Sequence, residues 1–176
     1  MVRILKRRIT SAEASLLVSE IKKTPNIIGY SFQEWIRANN IIVAEEEEGS
    51  LIGACLNYDF HKEWRKIAAL YVLRDFRGVG VGRKLFYESF DDAQNNRRNI
   101  YTISANPSVI KMMDELKLRG FNSFASLVCK FPSYRSLFCK HTIQWITNSY
   151  RLQELARKSI FCRTDERFIY GIKIAE

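Results

Sequence analysis

The chain has 176 residues, enough for one domain with a sizeable core, and 47% of them are hydrophobic, which argues against disorder throughout. Its formal net charge of +9 favours an anionic partner, such as a nucleotide, an acidic substrate, a nucleic acid or a membrane surface, without choosing among them. No apolar run approaches the ~20 residues of a membrane span. The N-terminal segment lacks the apolar core of a signal peptide, so we expect a cytoplasmic protein without membrane contact.

The cysteines and histidines form no recognisable metal or disulfide pattern. No two cysteines are spaced as Cys-x-x-Cys, and neither histidine completes a zinc-binding spacing. We therefore expect reduced thiols and no metal site. The cysteines are Cys55, Cys129, Cys139 and Cys162.

Two capping boxes mark the first helices. After a predicted strand at 2–9, Thr10 and Glu13 have the spacing at which each side chain bonds the other residue's backbone amide. Ser31 and Glu34 repeat the pattern. The sequence therefore predicts a helix directly after each cap, the second of them short.

A hairpin and a further strand follow these helices. Segments 41–46 and 51–60 are predicted to pair around the acidic turn 45–50, which we expect to be solvated, with Gly49 at its tight position. Segment 64–73 is predicted to be the next strand, largely buried in its second half.

The second half of the chain continues with helices that cross between strands. A helix is predicted after the glycine-rich stretch, followed by a strand at 99–105. The next helix has Asn106 as its N-cap, Pro107 at its first helical position and Gly120 past its end. The core-facing stripe of the first of these helices is Val81, Leu85, Phe86, Ser89, Phe90 and Ala93.

The C-terminal third has a weaker pattern. Segment 121–131 is predicted to be a strand, and 132–164 a helical insert of two short helices or one kinked helix, since the apolar stripe changes phase near Asn148. Segment 167–174 closes the chain as a strand, which could pair between the subunits of a homodimer. The elements together predict one α/β (α+β) three-layer domain over 1–176, with a mixed sheet flanked by helices.

The stretch RDFRGVGVGRKLF, residues 74–86, places three glycines within five residues between a strand and a helix. Such a loop presents unpaired amides at a helix N-terminus, and glycine lets the backbone approach a ligand closely. It can hold a phosphate or pyrophosphate, or it can be only a tight turn. A P-loop does not fit, because it ends in Gly-Lys-Ser/Thr and Gly82 is followed by Arg83. A Rossmann fingerprint does not fit either, because it would need a glycine at Arg83 or at Leu85.

Residues 70–86 resemble the acyl-CoA-binding motif of the GNAT superfamily of N-acetyltransferases, whose Arg-x-x-Gly-x-Gly signature is met by Arg77, Gly80 and Gly82. The segment 106–121 resembles the Asn-led helix of that family, and the order of elements agrees over most of the chain. The resemblance implies a mostly antiparallel sheet of about seven strands. It also implies transfer of an acetyl group from acetyl-CoA to a primary amine of a small molecule or protein, by direct attack.

The resemblance further implies how the co-substrate is held. The loop amides would bind the pyrophosphate, and the strand edge before the loop would pair with the pantetheine arm where the fourth and fifth strands separate. An N–H near Val72 would stabilise the oxyanion. Asn106 would contact the pantetheine or only cap its helix. The implied cofactor-binding residues are Leu70, Tyr71, Val72, Arg77, Gly78, Val79, Gly80, Val81, Gly82, Arg83 and Asn106.

The family's acid and base are not clearly present. The tyrosine that often serves as the general acid falls at Met113, or at Leu116 by the alternative count, and neither can donate a proton. Glu63 is the carboxylate nearest to the expected base, with a solvated surface residue as the alternative. Other residues considered for proton transfer are His61, Tyr101 and Ser104.

Two alternatives remain open at this point. One is a module that binds acyl-CoA without turnover, and the other is an acetyltransferase acting on an RNA-linked amine. The insert is basic and aromatic, so it could select an acidic acceptor, a protein or RNA, or it could be a lid whose aromatic residues complete the core. Its basic and aromatic residues include Tyr134, Arg135, Phe138, Lys140, His141, Trp145, Tyr150, Arg151, Arg157 and Lys158.

Overall fold

The structure is a computed structural model that describes residues 2–24, 27–161 and 167–175, with only the backbone described at 158–161. The strands are β1 Arg3–Lys6, β2 Asn40–Glu45, β3 Leu51–His61, β4 Trp64–Val72, β5 Asn99–Ser104, β6 Arg119–Phe121 and β7 Ile169–Lys173. The helices are α1 Ser11–Lys22, α2 Phe32–Arg37, α3 Val81–Asn95, α4 Pro107–Glu115, α5 Phe124–Lys130, α6 Arg135–Ile146 and α7 Ser149–Phe161.

The described strands form one seven-stranded sheet in the order β1-β2-β3-β4-β5-β7-β6. Neighbouring strands are antiparallel except β4 and β5, which are parallel and are joined by the crossover helix α3. The predicted fold class, a mixed and mostly antiparallel sheet flanked by helices, is confirmed.

Helices cover both faces of the sheet. On one face, α3 and α4 pack against the strands through side chains such as Leu85 and Met112, together with Ile100 of β5. Tyr101, the next residue of β5, points to the opposite face, where it packs with Phe138 of α6. Trp35 of α2 is buried on this second face together with residues of α1.

Both predicted capping boxes form. The Thr10 hydroxyl accepts a bond from the Glu13 amide at 3.2 Å, and the Glu13 carboxylate accepts one from the Thr10 amide at 2.7 Å. Ser31 and Glu34 make the equivalent pair at 3.3 and 2.8 Å. These bonds satisfy amides that have no partner within the helix, which explains why α1 and α2 begin where they do.

The hairpin between β2 and β3 differs from the prediction at one residue. Gly49 occupies the left-handed region in the turn, with φ of +83°, as its predicted role requires. Glu45, however, is buried at the end of β2 and forms ion pairs with Arg3 at 3.3 Å and Arg7 at 2.6 Å. Its assignment to the solvated turn was wrong, because Arg3 of the neighbouring strand β1 and Arg7 directly after it compensate the charge of Glu45.

The predicted strand at 121–131 is wrong. Only residues up to Phe121 are extended, and the rest forms helix α5, which the Ser123 hydroxyl caps by accepting the Ser126 amide at 3.1 Å. The apolar residues Phe124, Leu127 and Phe131 are spaced for one helical face. The helical spacing of these residues and the Ser123 cap outweigh the preference of the segment's aromatic and β-branched side chains for a strand.

Helix α4 is shorter than predicted. It ends at Glu115, and Lys117 follows in the left-handed region with φ of +57°. Gly120 lies past the end of the helix, as predicted, and belongs to β6, opposite Gly171 of β7. The predicted N-terminus is confirmed, since the Asn106 side chain accepts the Ser108 amide at 2.9 Å.

The insert contains two helices rather than one kinked helix. The break falls at Thr147 and Asn148, where the Asn148 side chain accepts the Tyr150 amide at 3.1 Å and so begins α7. The predicted end of the insert at Thr164 lies outside the described residues.

The final strand is not an edge. Strand β7 pairs along its length with β5 and, from Tyr170 to Ile172, with β6. Among the described residues both sides of β7 are therefore occupied, so a second subunit would have to displace β6 to add a strand there. The suggested homodimer stays a prediction.

The cysteines of the described ranges are free thiols. Cys55 is buried, and burial raises its pKa to about 12, whereas Cys129 is exposed and Cys139 is partly exposed. Cys162 lies outside the described residues. No described helix has the length and hydropathy needed to cross a membrane. Within the same ranges, no three His, Cys, Asp or Glu side chains are grouped as a metal site would need.

Candidate functional site

The glycine-rich loop requires glycine for its backbone conformation. Gly78 and Gly80 have φ of +82° and +85°, which side chains rarely adopt. A β-carbon added at either position would meet no atom within 4 Å, so neither glycine is required by packing. The loop therefore combines a left-handed backbone, which only glycine adopts readily, with open space beside it, which is typical of a loop that a ligand approaches.

Helix α3 begins at this loop without a side-chain cap. Gly80 is its N-cap, and the first bond from within the helix is donated by the Lys84 amide to the Gly80 carbonyl at 3.1 Å. The amides of residues 81–83 thus have no partner from the preceding turn, and the helix dipole places positive potential there.

A cavity of about 560 Å³ lies against the loop and the start of α3. Gly82 is at its wall, where an added β-carbon would lie 3.6 Å from Val72 Cγ2. Val79 is the predicted loop residue that does not line this cavity, because its side chain is 72% exposed and points to solvent. The predicted residues that line it are Leu70, Tyr71, Val72, Arg77, Gly78, Gly80, Val81, Gly82, Arg83 and Asn106.

Two arginines border the cavity in different ways. Arg77 donates from Nε to the Val72 carbonyl at 2.9 Å and lies over the Tyr71 ring at 5.1 Å, which fixes its guanidinium beside the strand edge. Arg83 is paired with Glu115 at 3.0 Å and donates to the Tyr87 hydroxyl at 3.0 Å. Both line the cavity and add positive potential to it.

Strands β4 and β5 separate beside the loop. Their parallel register runs from Trp64 to Ile67 and then stops, so in the described ranges Ala68–Val72 has no strand partner on the β5 side. On the other side, Ala68 is skipped in the register with β3, which marks a β-bulge at the point of separation. The expectation of a gap between the fourth and fifth strands is thus met by the register.

A second cavity of about 140 Å³ occupies this gap. It shares Leu70, Asn106 and Val109 with the larger cavity, so the two lie end to end along the β4 edge. The smaller cavity is closed at its far end by aromatic side chains, including Tyr30 and Trp145.

Asn106 caps its helix, as one of the two sequence predictions states, and its contact with pantetheine stays a prediction. Its side chain caps α4, and the residue also lines both cavities, with its backbone N–H donating to the Ser104 hydroxyl at 3.1 Å. The cap holds the residue at the junction, whether or not its amide contacts a ligand.

Two of the residues predicted for acid and base positions, Glu63 and Met113, lie away from the cavities. Glu63 is in the exposed turn between β3 and β4, with His61 at 3.9 Å, and lines neither cavity. Met113 is buried in the core, where a β-carbon on Gly171 would lie 2.4 Å from its ε-methyl group. The structure therefore brings neither of them to the gap between the strands.

Lys66 is a site residue that the sequence analysis did not single out. It lies on β4, is 4% exposed and lines the smaller cavity. Its Nζ is 5.1 Å from the Trp145 ring centroid, 5.5 Å from that of Tyr101 and 5.9 Å from that of Tyr58. The available signal was a pair of basic residues, Arg65 and Lys66, at the start of a strand whose remaining residues are apolar or aromatic.

The surroundings of Lys66 disfavour its charge. Burial is the main cause, the nearby Arg151 guanidinium adds to it, and Glu34 opposes it in part, so that the pKa of Lys66 falls to about 7. Arg151 is itself 2% exposed, stacks 3.8 Å above the Tyr30 ring and is ion-paired with Glu34. Of these two basic residues, Arg151 has a carboxylate partner, whereas Lys66 has none among the described residues.

The aromatic residues of the insert have two roles. Phe138 and His141 pack in the core, with His141 stacked on Phe60 at a centroid distance of 4.3 Å. Trp145 instead closes the smaller cavity and donates to the Tyr30 hydroxyl at 3.4 Å. The insert therefore contributes both to the core and to the wall of the site.

A protein-family model described as the acetyltransferase (GNAT) family matches residues 10–121, more than half of the chain. The chain belongs to the GNAT acetyltransferase family. The family match includes the glycine loop, the separating strands and the Asn-led helix, so the resemblance seen in the sequence is confirmed. A search of curated protein sequences found no significant match.

Solved structures share the GNAT fold over most of the chain. The Mycobacterium tuberculosis protein Rv2747, solved with CoA, has a TM-score of 0.61, with 9% identity over 97% of this chain and 99% of its own. N-acetylglutamate synthase from Neisseria gonorrhoeae, complexed with coenzyme A and N-acetyl-glutamate, scores 0.58, with 12% identity over 98% of this chain and 35% of its own.

A third relative covers a shorter part of the fold. Diaminobutyrate acetyltransferase EctA from Paenibacillus lautus, in complex with its substrate and coenzyme A, scores 0.54, with 15% identity over 69% of this chain and 81% of its own. Identities this low establish the GNAT fold and nothing finer.

Proposed function

We propose that the protein is an N-acetyltransferase that transfers the acetyl group of acetyl-CoA to a primary amine. The observation that carries the proposal is the alignment of the two cavities. The larger one lies at the glycine loop, where an anion is favoured, and the smaller one lies in the gap between β4 and β5. A molecule with a charged pyrophosphate and a long, polar, reactive arm fits this arrangement.

The cofactor would be held mainly by backbone. The unpaired amides at 81–83 and the loop bind the pyrophosphate, with Arg77 and Arg83 beside it. The free edge of Ala68–Val72 offers the pantetheine amides a strand partner, as in β-strand addition. At about 3.3 Å per residue this edge spans roughly 13 Å, which leads from the loop to the smaller cavity.

The chemistry takes place where the strand edge meets the smaller cavity. The acceptor nitrogen attacks the thioester carbonyl, a C–N bond forms, the C–S bond breaks, and the CoA thiolate takes up a proton. The backbone N–H of Leu70, which the alternation of β4 directs to the β5 side, stabilises the oxyanion of the tetrahedral intermediate. Positioning and oxyanion stabilisation supply much of the rate in such a reaction.

The acceptor is an amine by analogy with the relatives. One related structure holds N-acetyl-glutamate and another holds 2,4-diaminobutyric acid, each together with coenzyme A. Glu63 has no proton-transfer role in this reaction, because it is exposed in the β3–β4 turn and lies outside both cavities.

The RNA-linked acceptor receives less support than a small or protein amine. Arg151 is buried and paired with Glu34, and Arg157 is paired with Glu154 at 3.0 Å. These two arginines, which that alternative depends on, are engaged within the protein. The side chain of Lys158 lies outside the described residues.

The proposed activity is tested by measuring release of the CoA thiol from acetyl-CoA in the presence of a panel of primary amines, with acetylated products identified by mass. The panel contains amino acids, diamines, arylalkylamines and lysine peptides. We expect turnover of at least one class, and loss of that turnover in Gly82→Trp, whose side chain fills the larger cavity. Binding of acetyl-CoA without release of CoA by any amine would instead favour the binding module without turnover.

A further inference from the structure

The smaller cavity contains an amine that belongs to the protein. Lys66 reaches it from β4, and the free strand edge of residues 68–70 forms the adjoining wall. This edge is where the proposed function places the thioester. The Lys66 amine and the acetyl carbonyl would therefore share a space of only about 140 Å³.

Lys66 makes no polar contact that would hold its amine away from this space. The described residues form no hydrogen bond or ion pair with its Nζ, which is surrounded by the rings of Tyr58, Tyr101 and Trp145. Aromatic rings attract a cation through their faces, but they do not bind the lone pair of a neutral amine. The nitrogen is thus available to an electrophile in the cavity.

The charged and titratable groups around Lys66 keep a large fraction of it neutral. Arg151 of α7 repels the ammonium form, and Glu34 of α2, which attracts it, is already paired with Arg151. His141 of α6 is neutral near pH 7, because burial and the two cations lower its pKa to about 3. Burial raises the pKa values of Tyr58 and Tyr101, so both stay uncharged.

We propose that Lys66 is an internal acyl acceptor, a site at which the protein acetylates itself from bound acetyl-CoA. This inference rests on the proposed function, since it requires acetyl-CoA in the two cavities. The neutral Nζ attacks the thioester carbonyl, forming an amide C–N bond while the C–S bond breaks. The proton lost from Nζ goes to solvent and the CoA thiolate is released, so no oxidant or further reactant is needed.

Acetylation of Lys66 changes the site that the acceptor would use. The amide is uncharged and larger than the amine, and it would occupy the cavity beside Trp145 and Tyr30. It also removes the charge that opposes Arg151, which makes the modified state compatible with burial. Self-acetylation therefore closes the acceptor end of the site while the cofactor groove stays open.

The test uses the whole protein and acetyl-CoA alone, so no acceptor needs to be known. Intact-mass and peptide mass spectrometry follow acetyl incorporation at Lys66, with Lys111 as the comparison. Lys111 lines the larger cavity but is exposed, so it reports non-enzymatic acetylation near the cofactor. We expect Lys66 to be modified at least tenfold faster than Lys111, and Lys66→Arg to abolish the single fast addition that Lys111→Arg retains.

Two further variants link the modification to the site. Gly82→Trp should reduce acetylation of Lys66 to the rate of Lys111, because the cofactor no longer enters. Arg151→Met should move the pH midpoint of Lys66 acetylation upward, since Arg151 lowers the pKa of Lys66. No movement of the midpoint in a folded Arg151→Met variant would contradict the electrostatic part of the account.

The outcomes separate this inference from the proposed function. If acetyl-CoA raises the melting temperature but Lys66 is modified no faster than Lys111, the internal acceptor is excluded and the cofactor site stands. If acetyl-CoA neither binds nor modifies Lys66, both proposals fail together. Equal acetylation of Lys66 in wild type and in Gly82→Trp would also exclude the inference, because it would show chemistry independent of the bound cofactor.

Discussion

Ile67 and Thr102 form the last register pair between β4 and β5, and the Thr102 hydroxyl donates to the Ile67 carbonyl at 3.0 Å. Beyond this pair the strands separate, and the smaller cavity begins. The backbone hydrogen bonds between the two strands end here, and the Thr102 hydroxyl bonds the buried Ile67 carbonyl in their place.

Thr102→Val should destabilise the protein by about 1 kcal/mol, because it leaves that buried carbonyl with one bond fewer at nearly unchanged volume. For a chain of this size the melting temperature should fall by roughly 2–4 °C. Thr147→Val is the matched control, since its hydroxyl bonds the Ile143 carbonyl at 2.9 Å at an exposed position. Equal losses from the two variants in thermal melts would contradict the role given to Thr102.

The glycines of the loop should respond differently to alanine. Gly80→Ala forces a side chain into φ of +85° and should cost about 1–2 kcal/mol. Gly82→Ala lies inside α3 with no such strain and should leave stability unchanged or raise it by up to about 1 kcal/mol. Denaturant unfolding of the unliganded variants measures both.

The same pair separates stability from binding. Gly82→Ala places a methyl group on the cavity wall near Val72, so its affinity for acetyl-CoA should fall although the fold is not weakened. Calorimetric titration checks this. Unchanged affinity in Gly82→Ala would place the cofactor away from the start of α3.

Local signals in the sequence were sufficient for most of the fold. Capping boxes at Thr10 and Ser31, and the glycines before α3, specify local geometry directly, so they could be predicted without tertiary information. The segment containing α5 was misassigned because short apolar runs are ambiguous between strand and helix. Its helix depends on the Ser123 cap and on packing against the sheet.

The cofactor groove was predictable and the acceptor end was not. The loop is one continuous segment, so its pattern is visible in the sequence. The aromatic rings around Lys66 belong to Tyr58 of β3, Tyr101 of β5 and Trp145 of α6, and only the fold brings these residues together. The family pattern also predicted Glu63 as the base and placed the acid position at Met113, but neither residue lines a cavity.

Lys66 should make stability rise with pH. Its folded pKa, about 7, lies below the ordinary value of 10.5, so between these values the unfolded chain binds a proton that the folded protein does not. Raising the pH through that window should increase the free energy of unfolding by up to about 1.4 kcal/mol per pH unit. Below about 7 this contribution should be flat.

Comparison with Lys66→Met isolates this effect, because the other titrating groups are common to both proteins. The difference in unfolding free energy between wild type and Lys66→Met, measured in urea, should move in favour of wild type as the pH rises above about 7. A difference that does not change with pH would show that Lys66 titrates normally.

His141 should limit stability in acid. Burial, then the charges of Lys66 and Arg151, lower its pKa from 6.5 to about 3. As the pH falls below 6.5 the unfolded chain takes up a proton that folded His141 resists, so stability should decrease towards pH 3. His141→Phe should show a shallower loss in acid unfolding followed by circular dichroism. An identical acid profile would mean that His141 is not held neutral.

The central claim, that acetyl-CoA binds along the glycine loop and the free edge of β4, is tested most directly by thermal melts with and without acetyl-CoA. Wild type and Gly82→Trp are compared. At ~100 times the Kd, the ligand should add about 2.7 kcal/mol, a shift of several degrees. The account predicts this shift in wild type and its loss in a folded Gly82→Trp. No shift in wild type, or an equal shift in both, would contradict it.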